Sequence, residues 1–195
     1  PKPALKGDVV LNEILFNPFS GGEDFIEIIN NSNHFIDLFN WRFSEFIEGE
    51  FKAENTLSKS HLMIAPNEIL AFSPDPNTLL SFYFTISFNQ IILNEGLPNF
   101  PDDEATVLLL NPNLKIIDSL TYSKNMHFSL LDDLNGVSLE RINPTESTSN
   151  TNNWASAAEN AGFATPGMPN SQLFVANREV GKVVLQPELF TPDND

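Results

Sequence analysis

The feature that most constrains this chain is a short two-residue alternation that stops at turn residues and begins again. In DFIEIIN, residues 24–30, a period of two places Ile26, Ile28 and Asn30 on one face and Phe25, Glu27 and Ile29 on the other. The preceding DVVLNEILFNP is too short and too rich in β-branched residues for a helix, Pro18 closes it, and Gly21-Gly22 turns the chain. NNSN after Ile29 reads as a turn whose Asn side chains bond local backbone. FIDLFNWRFSE then gives a strand or strand pair, and LSKSHLMIAPNEILAF gives two strands around Pro66-Asn67. ATVLLLNPNLKIIDSLTY is a hairpin around Asn111-Pro112-Asn113, GVSLERI is another strand, and the polar stretch 143–153 is a surface loop whose far end Trp154 pins to the body. LLSFYFTISF, 79–88, is apolar without a clean period, so a strand and a short helix both fit, and the expectation is a helical turn near Thr78 with that residue as its N-cap. About eight short strands with almost no helical period specify an all-β fold, an antiparallel β-sandwich.

The alternation also names the core. Ile26, Ile28 and Trp41 belong between the sheets, and Asn30, on the same face, must spend its amide on backbone groups of the turn that follows. Glu140 and Arg141 are neighbours on a strand and point to opposite faces, so Arg141 is expected to pair with a carboxylate and anchor the long loop. Trp154, at the end of that loop, is both a core candidate and the one ligand candidate, as a platform for a sugar. Glu13, Glu23, Asp24 and Glu27 gather if the first two strands pair. Paired carboxylates bind calcium or share acid and base work, but with no Gly-punctuated calcium loop beside them the expectation is a solvated acidic edge that blocks aggregation.

Chemistry is otherwise sparse. DDLNG, 132–136, fails the EF-hand register and reads as a turn, and His34, His61 and His127 lie in separate segments without ligand spacing. The chain has no cysteine, no GxSxG elbow and no phosphate-cradling GxxxxGK[ST] loop, so no catalytic residue, metal or cofactor is assigned. Ten Lys and Arg against 26 Asp and Glu give a net charge of −16, which disfavours nucleic acid and anionic lipid as partners. No run of about 18 apolar residues exists for direct membrane insertion. The start, PKPALKGD, lacks the features of a signal peptide, so export would follow its removal.

NEILFNP, DFIEIINNSNHFIDLFNW, IIDSLTYS and GVSLERINP followed at a distance by NNWASAAENAGFATPGMPNSQ together resemble the lamin tail domain family, in its bacterial extracellular branch. The resemblance implies an immunoglobulin-like sandwich and a non-catalytic module, secreted or on the cell surface, that meets a protein or glycan. Residues 1–7 read as linker, 8–172 as the domain, and 173–195 as linker and the start of a following β module in a longer protein. The expected role is an interaction or spacer module. The alternatives are an accessory domain of an extracellular hydrolase whose catalytic domain lies elsewhere, or a calcium- or glycan-binding module.

Overall fold

The computed structural model describes residues 3–47, 50–98 and 100–174, and the following module expected in 173–195 falls, from residue 175 on, outside them. The described chain runs β1 (Val9–Leu15), β2 (Phe25–Asn30), β3 (Ile36–Asp37), β4 (Arg42–Ile47), β5 (Glu50–Thr56), β6 (Met63–Ile64), β7 (Ile69–Ser73), α1 (Pro76–Phe82), β8 (Ile91–Leu93), β9 (Glu104–Leu110), β10 (Ile116–Ser123), β11 (Leu139–Arg141) and β12 (Trp154–Ser156). Twelve strands exceed the expected number because β5, β8 and β12 are not expected from the sequence: β8 and β12 have three residues each, too few for alternation to mark, and β5, EFKAENT, has only Phe51 and Ala53 as apolar residues.

Six strands form one sheet in the order β12-β11-β1-β2-β7-β8, and four form the other, β10-β9-β4-β5, with β3 and β6 paired separately. Strands from all three supply one core, in which Val9, Leu11, Ile26, Ile28, Phe72 and Leu139 face Phe43, Leu109, Leu120 and Tyr122. Phe43 meets Phe72 edge to face at 5.4 Å between ring centroids, an arrangement aromatic pairs prefer. Fully burying side chains of this size stabilises by roughly 1.5–3 kcal/mol each, which offsets the entropy lost in ordering them. The fold is an all-β, immunoglobulin-like sandwich.

The six-stranded sheet is covered on its second face too. Leu15, Phe25, Ala71, Leu79, Tyr83, Ile91 and Ala164 form a smaller core beneath α1 and the chain near Ala164. The helix exists because Asp75 accepts hydrogen bonds from Asn77 N and Thr78 N, while Pro76 opens it where no N–H is needed. The N-cap is therefore Asp75 and not Thr78, whose hydroxyl instead donates to Asp75 at 2.8 Å.

Candidate functional site

A bulge in β1 creates the most unusual feature of the molecule. Leu11 pairs with Ile28 but Glu13 pairs with Glu27, so Asn12 is an extra residue and the phase of the strand changes there. Val9 and Leu11 before the bulge and Ile14 and Phe16 after it all reach the main core. Glu13 is turned to the opposite face, where the pairing of β1 with β2 and β11 sets it between Glu27 and Glu140.

All three glutamates are 0% exposed, because the segment 163–172 lies over them. Glu13 Oε1 accepts from Ser138 Oγ at 2.5 Å and from Thr165 N at 2.9 Å. Glu27 accepts from Asn12 Nδ2 at 2.6 Å and Gly167 N at 2.8 Å. Glu140 Oε2 accepts from Ser171 Oγ and Gln172 N at 2.7 and 2.9 Å. Asn170 completes the seal by donating to the carbonyls of Asn12 and Arg141. Glu13, Asp24 and Glu27 are thus not the solvated edge the sequence suggests; of the four acids only Glu23 is partly exposed. Strand alternation identifies the second face but not what lies on it, and the cover arrives from about 150 residues away in sequence.

The hydroxyl of Thr165 lies 2.9 Å from Glu13 Oε2 and 2.8 Å from Glu140 Oε1. A hydroxyl has one proton to donate, so one of the two carboxyls must supply the other. Burial, and next the charge of Glu140, push Glu13 up to about 8, against the opposing bonds from Ser138 and Thr165. Burial and then the charge of Glu13 raise Glu27 well above the usual range. Burial also raises Asp24 to about 7, although Phe100 N donates to it at 2.8 Å. Without solvent-exposed area, Glu13, Glu27 and Glu140 meet only their own chain, and this cluster fastens the segment 163–172 to the sheet.

The remaining candidates separate into framework and surface. Ile26, Ile28 and Trp41 lie in the main core. Asn30, 0% exposed, donates to His34 O at 2.8 Å and Ile64 O at 3.0 Å and accepts from Ser32 N at 3.0 Å, which explains NNSN as structure. Arg141 Nη2 donates to the Thr148 hydroxyl, which donates to Asp118 at 2.6 Å, and Arg141 stands 3.6 Å from Asp118. Asp118 also accepts from Leu11 N at 2.8 Å, so one carboxylate joins the loop 143–153, β11 and β1. Trp154 is 4% exposed, donates through Nε1 to Thr148 O, and has Arg141 Cζ 5.4 Å from its ring centroid. Its indole packs and leaves little face for a sugar. DDLNG is a turn, closed by Gly136 at φ 75° with Phe19 packed where a Cβ would stand.

His61 bonds Asp37 at 2.5 Å, and buried His127 bonds Ser156 at 2.9 Å with burial lowering it to about 4. Among the described residues no three His, Asp or Glu side chains are placed to hold a metal ion.

Two features of the described surface bear on function. After α1 the chain keeps an alternation with inverted sense: Tyr83 and Thr85 are buried, whereas Phe84 and Ile86 are 73% and 74% exposed, flanked by half-exposed Phe82 and by exposed Phe88. Phe19 stacks on Phe82 at 5.8 Å, extending this apolar ridge. Its signal in the sequence is the alternation of Phe82, Phe84, Ile86 and Phe88 with Tyr83, Thr85 and Ser87, whose sense of burial the sequence does not reveal. The second feature is a groove of about 680 Å³ lined by Asn55–Lys59 and Ile92–Gly96, between the end of β5 and β8.

The fold and this cluster define a two-sheet immunoglobulin-like sandwich whose buried acids are consumed by its own backbone and side chains. The sequence profile of the Lamin Tail Domain matches residues 2–124, and the chain belongs to this family, a non-catalytic one. Glu13 and Glu27 lie within the matched span, while Ser138, Glu140 and Thr165 lie beyond it. No curated protein matches the chain.

Proposed function

We propose that this chain is an interaction or spacer module of a larger bacterial protein, secreted or held at the cell surface, and that it contacts a protein or glycan there. The observation that carries the reading is the ridge of Phe82, Phe84, Ile86 and Phe88, where large apolar side chains stand in solvent beside neighbours that are buried. Contiguous exposed apolar surface of this kind marks interaction sites more often than chance, because solvating it costs about 25 cal/mol per Å² until a partner covers it. The bacterial and extracellular setting is supported by the resemblance of NEILFNP, IIDSLTYS and GVSLERINP to that branch of the family.

The test is adhesion of the fluorescently labelled protein to intact cells of its own species. A Phe84→Asp, Ile86→Asp double variant should keep the parent's melting temperature, since neither side chain is packed, and lose most of its retention on cells. Equal retention of the two proteins would remove the ridge as the contact and with it the reading.

A further inference from the structure

We propose that the groove between β5 and β8 receives an extended, basic peptide segment of a partner protein, which adds as a further strand along β8. This rests on the reading of the chain as an interaction module and supplies the mode and chemistry of a contact beside the ridge. β8 is the last strand of its sheet and β5 the last of the other, so both strand edges flanking the groove are unpaired among the described residues. An unpaired edge is a template for main-chain pairing, the recognition mode in which backbone bonds give affinity and alternate side chains give specificity.

Three observations favour a peptide here. The groove's volume, about 680 Å³, lies in the range of ligand sites, and it is walled on one side by Ile92 and Leu93 of β8 and on the other by Asn55–Lys59. Within that wall Asn55 keeps an Oδ1 that accepts no hydrogen bond from the described residues, an acceptor left over for a peptide N–H. Its amide presses so close to Gly96 that an added Cβ there would lie 2.3 Å from Nδ2, so the glycine keeps the Asn55 side chain in its place. Charge selects the occupant. The wall charges, Lys59 and Glu95, cancel, so the net charge of −16 of the whole chain sets the field at the groove, which draws a Lys- or Arg-bearing segment and repels an acidic one.

A library of random ten-residue peptides displayed on phage, selected against the whole chain, reads this directly. Enriched peptides should be free of proline, rich in β-branched residues and basic, and synthetic copies should bind in calorimetry. Glu95→Lys, at an exposed position, should weaken them by about tenfold. Asn55→Leu should weaken them similarly with the melting temperature maintained, and the Phe84→Asp, Ile86→Asp variant should bind them unchanged. A selection that returns no binder, or peptides that the groove variants bind as well as the parent does, overturns the inference. If those peptides fail only on the ridge variant, the groove is excluded while the interaction reading stands.

Discussion

Thr165 sets the terms at the scale of a single residue. With one hydroxyl proton between Glu13 Oε2 and Glu140 Oε1, it requires a neutral carboxyl, and Glu13, pushed up to about 8, is the group that carries the proton at neutral pH. Glu13→Gln reproduces that protonated form: its carbonyl still accepts from Ser138 and Thr165 N, and its amide donates where the carboxyl proton did. At about pH 6 this variant should unfold in urea within roughly 0.5 kcal/mol of the parent, as a conservative change does. Thr165→Val keeps the shape and removes the donor, leaving buried oxygens without a partner, so it should cost about 1–3 kcal/mol under the same conditions. The reverse order of the two variants would mean that the cluster is ionised and held by something other than this shared proton.

Among the elements, β11 and the loop behind it depend on Asp118. Arg141 is wholly buried, and although burial pulls its guanidinium down to about 10, it remains charged at neutral pH opposite that carboxylate. Asp118→Ala strands the guanidinium, unbinds Thr148 and frees Leu11 N, so a loss of about 3–5 kcal/mol is expected, with faster amide exchange through residues 143–153. An exchange pattern unchanged in that loop would show that Trp154 and the bonds between Asn143 and Asn153 hold it without Asp118. How much of this was legible in the sequence follows the range of each interaction. Ile26, Ile28 and the Asn111-Pro112-Asn113 hairpin announce themselves in contiguous residues, and Asn30 and Arg141 do so because a polar side chain on a buried strand must find a partner nearby. The meeting of Glu13 with Glu27 was legible from the pairing of the first two strands, but their burial with Glu140 was not, because a bulge at Asn12 shifted the phase within one strand and the cover came from the far end of the domain. Asp75 was missed as a cap for a smaller reason, since Thr78, three residues on and next to the apolar run, is also a capping residue by type, although Asp caps better.

For the whole molecule, the buried acids fix how stability varies with pH. Glu13, Glu27 and Asp24 all have folded pKa values raised above their unfolded ones, chiefly by burial, so the native state binds protons that the unfolded chain has released. Each contribution is fully present below the unfolded value and is lost as pH rises through the folded one, at about 1.4 kcal/mol per pH unit per group. For Asp24 that loss runs from its ordinary value of 3.8 to about 7, and for Glu13 from 4.5 to about 8. His127 acts in the opposite sense: held neutral down to about 4, it favours the folded state above its ordinary value of 6.5 and withdraws that support as pH falls below it. One imidazole opposes three carboxyls, and the self-repulsion of a chain at −16 grows with the same rise in pH. The urea midpoint should therefore be higher at about pH 5.5 than at about pH 8.5, the reverse of a protein whose carboxylates are ionised in salt bridges. Glu13→Gln should flatten the upper part of that decline and Asp24→Asn the lower part. A midpoint that is level or climbs across this interval would mean that the three acids are ionised in the folded protein, and that segment 163–172 is fastened by charge and not by a shared proton.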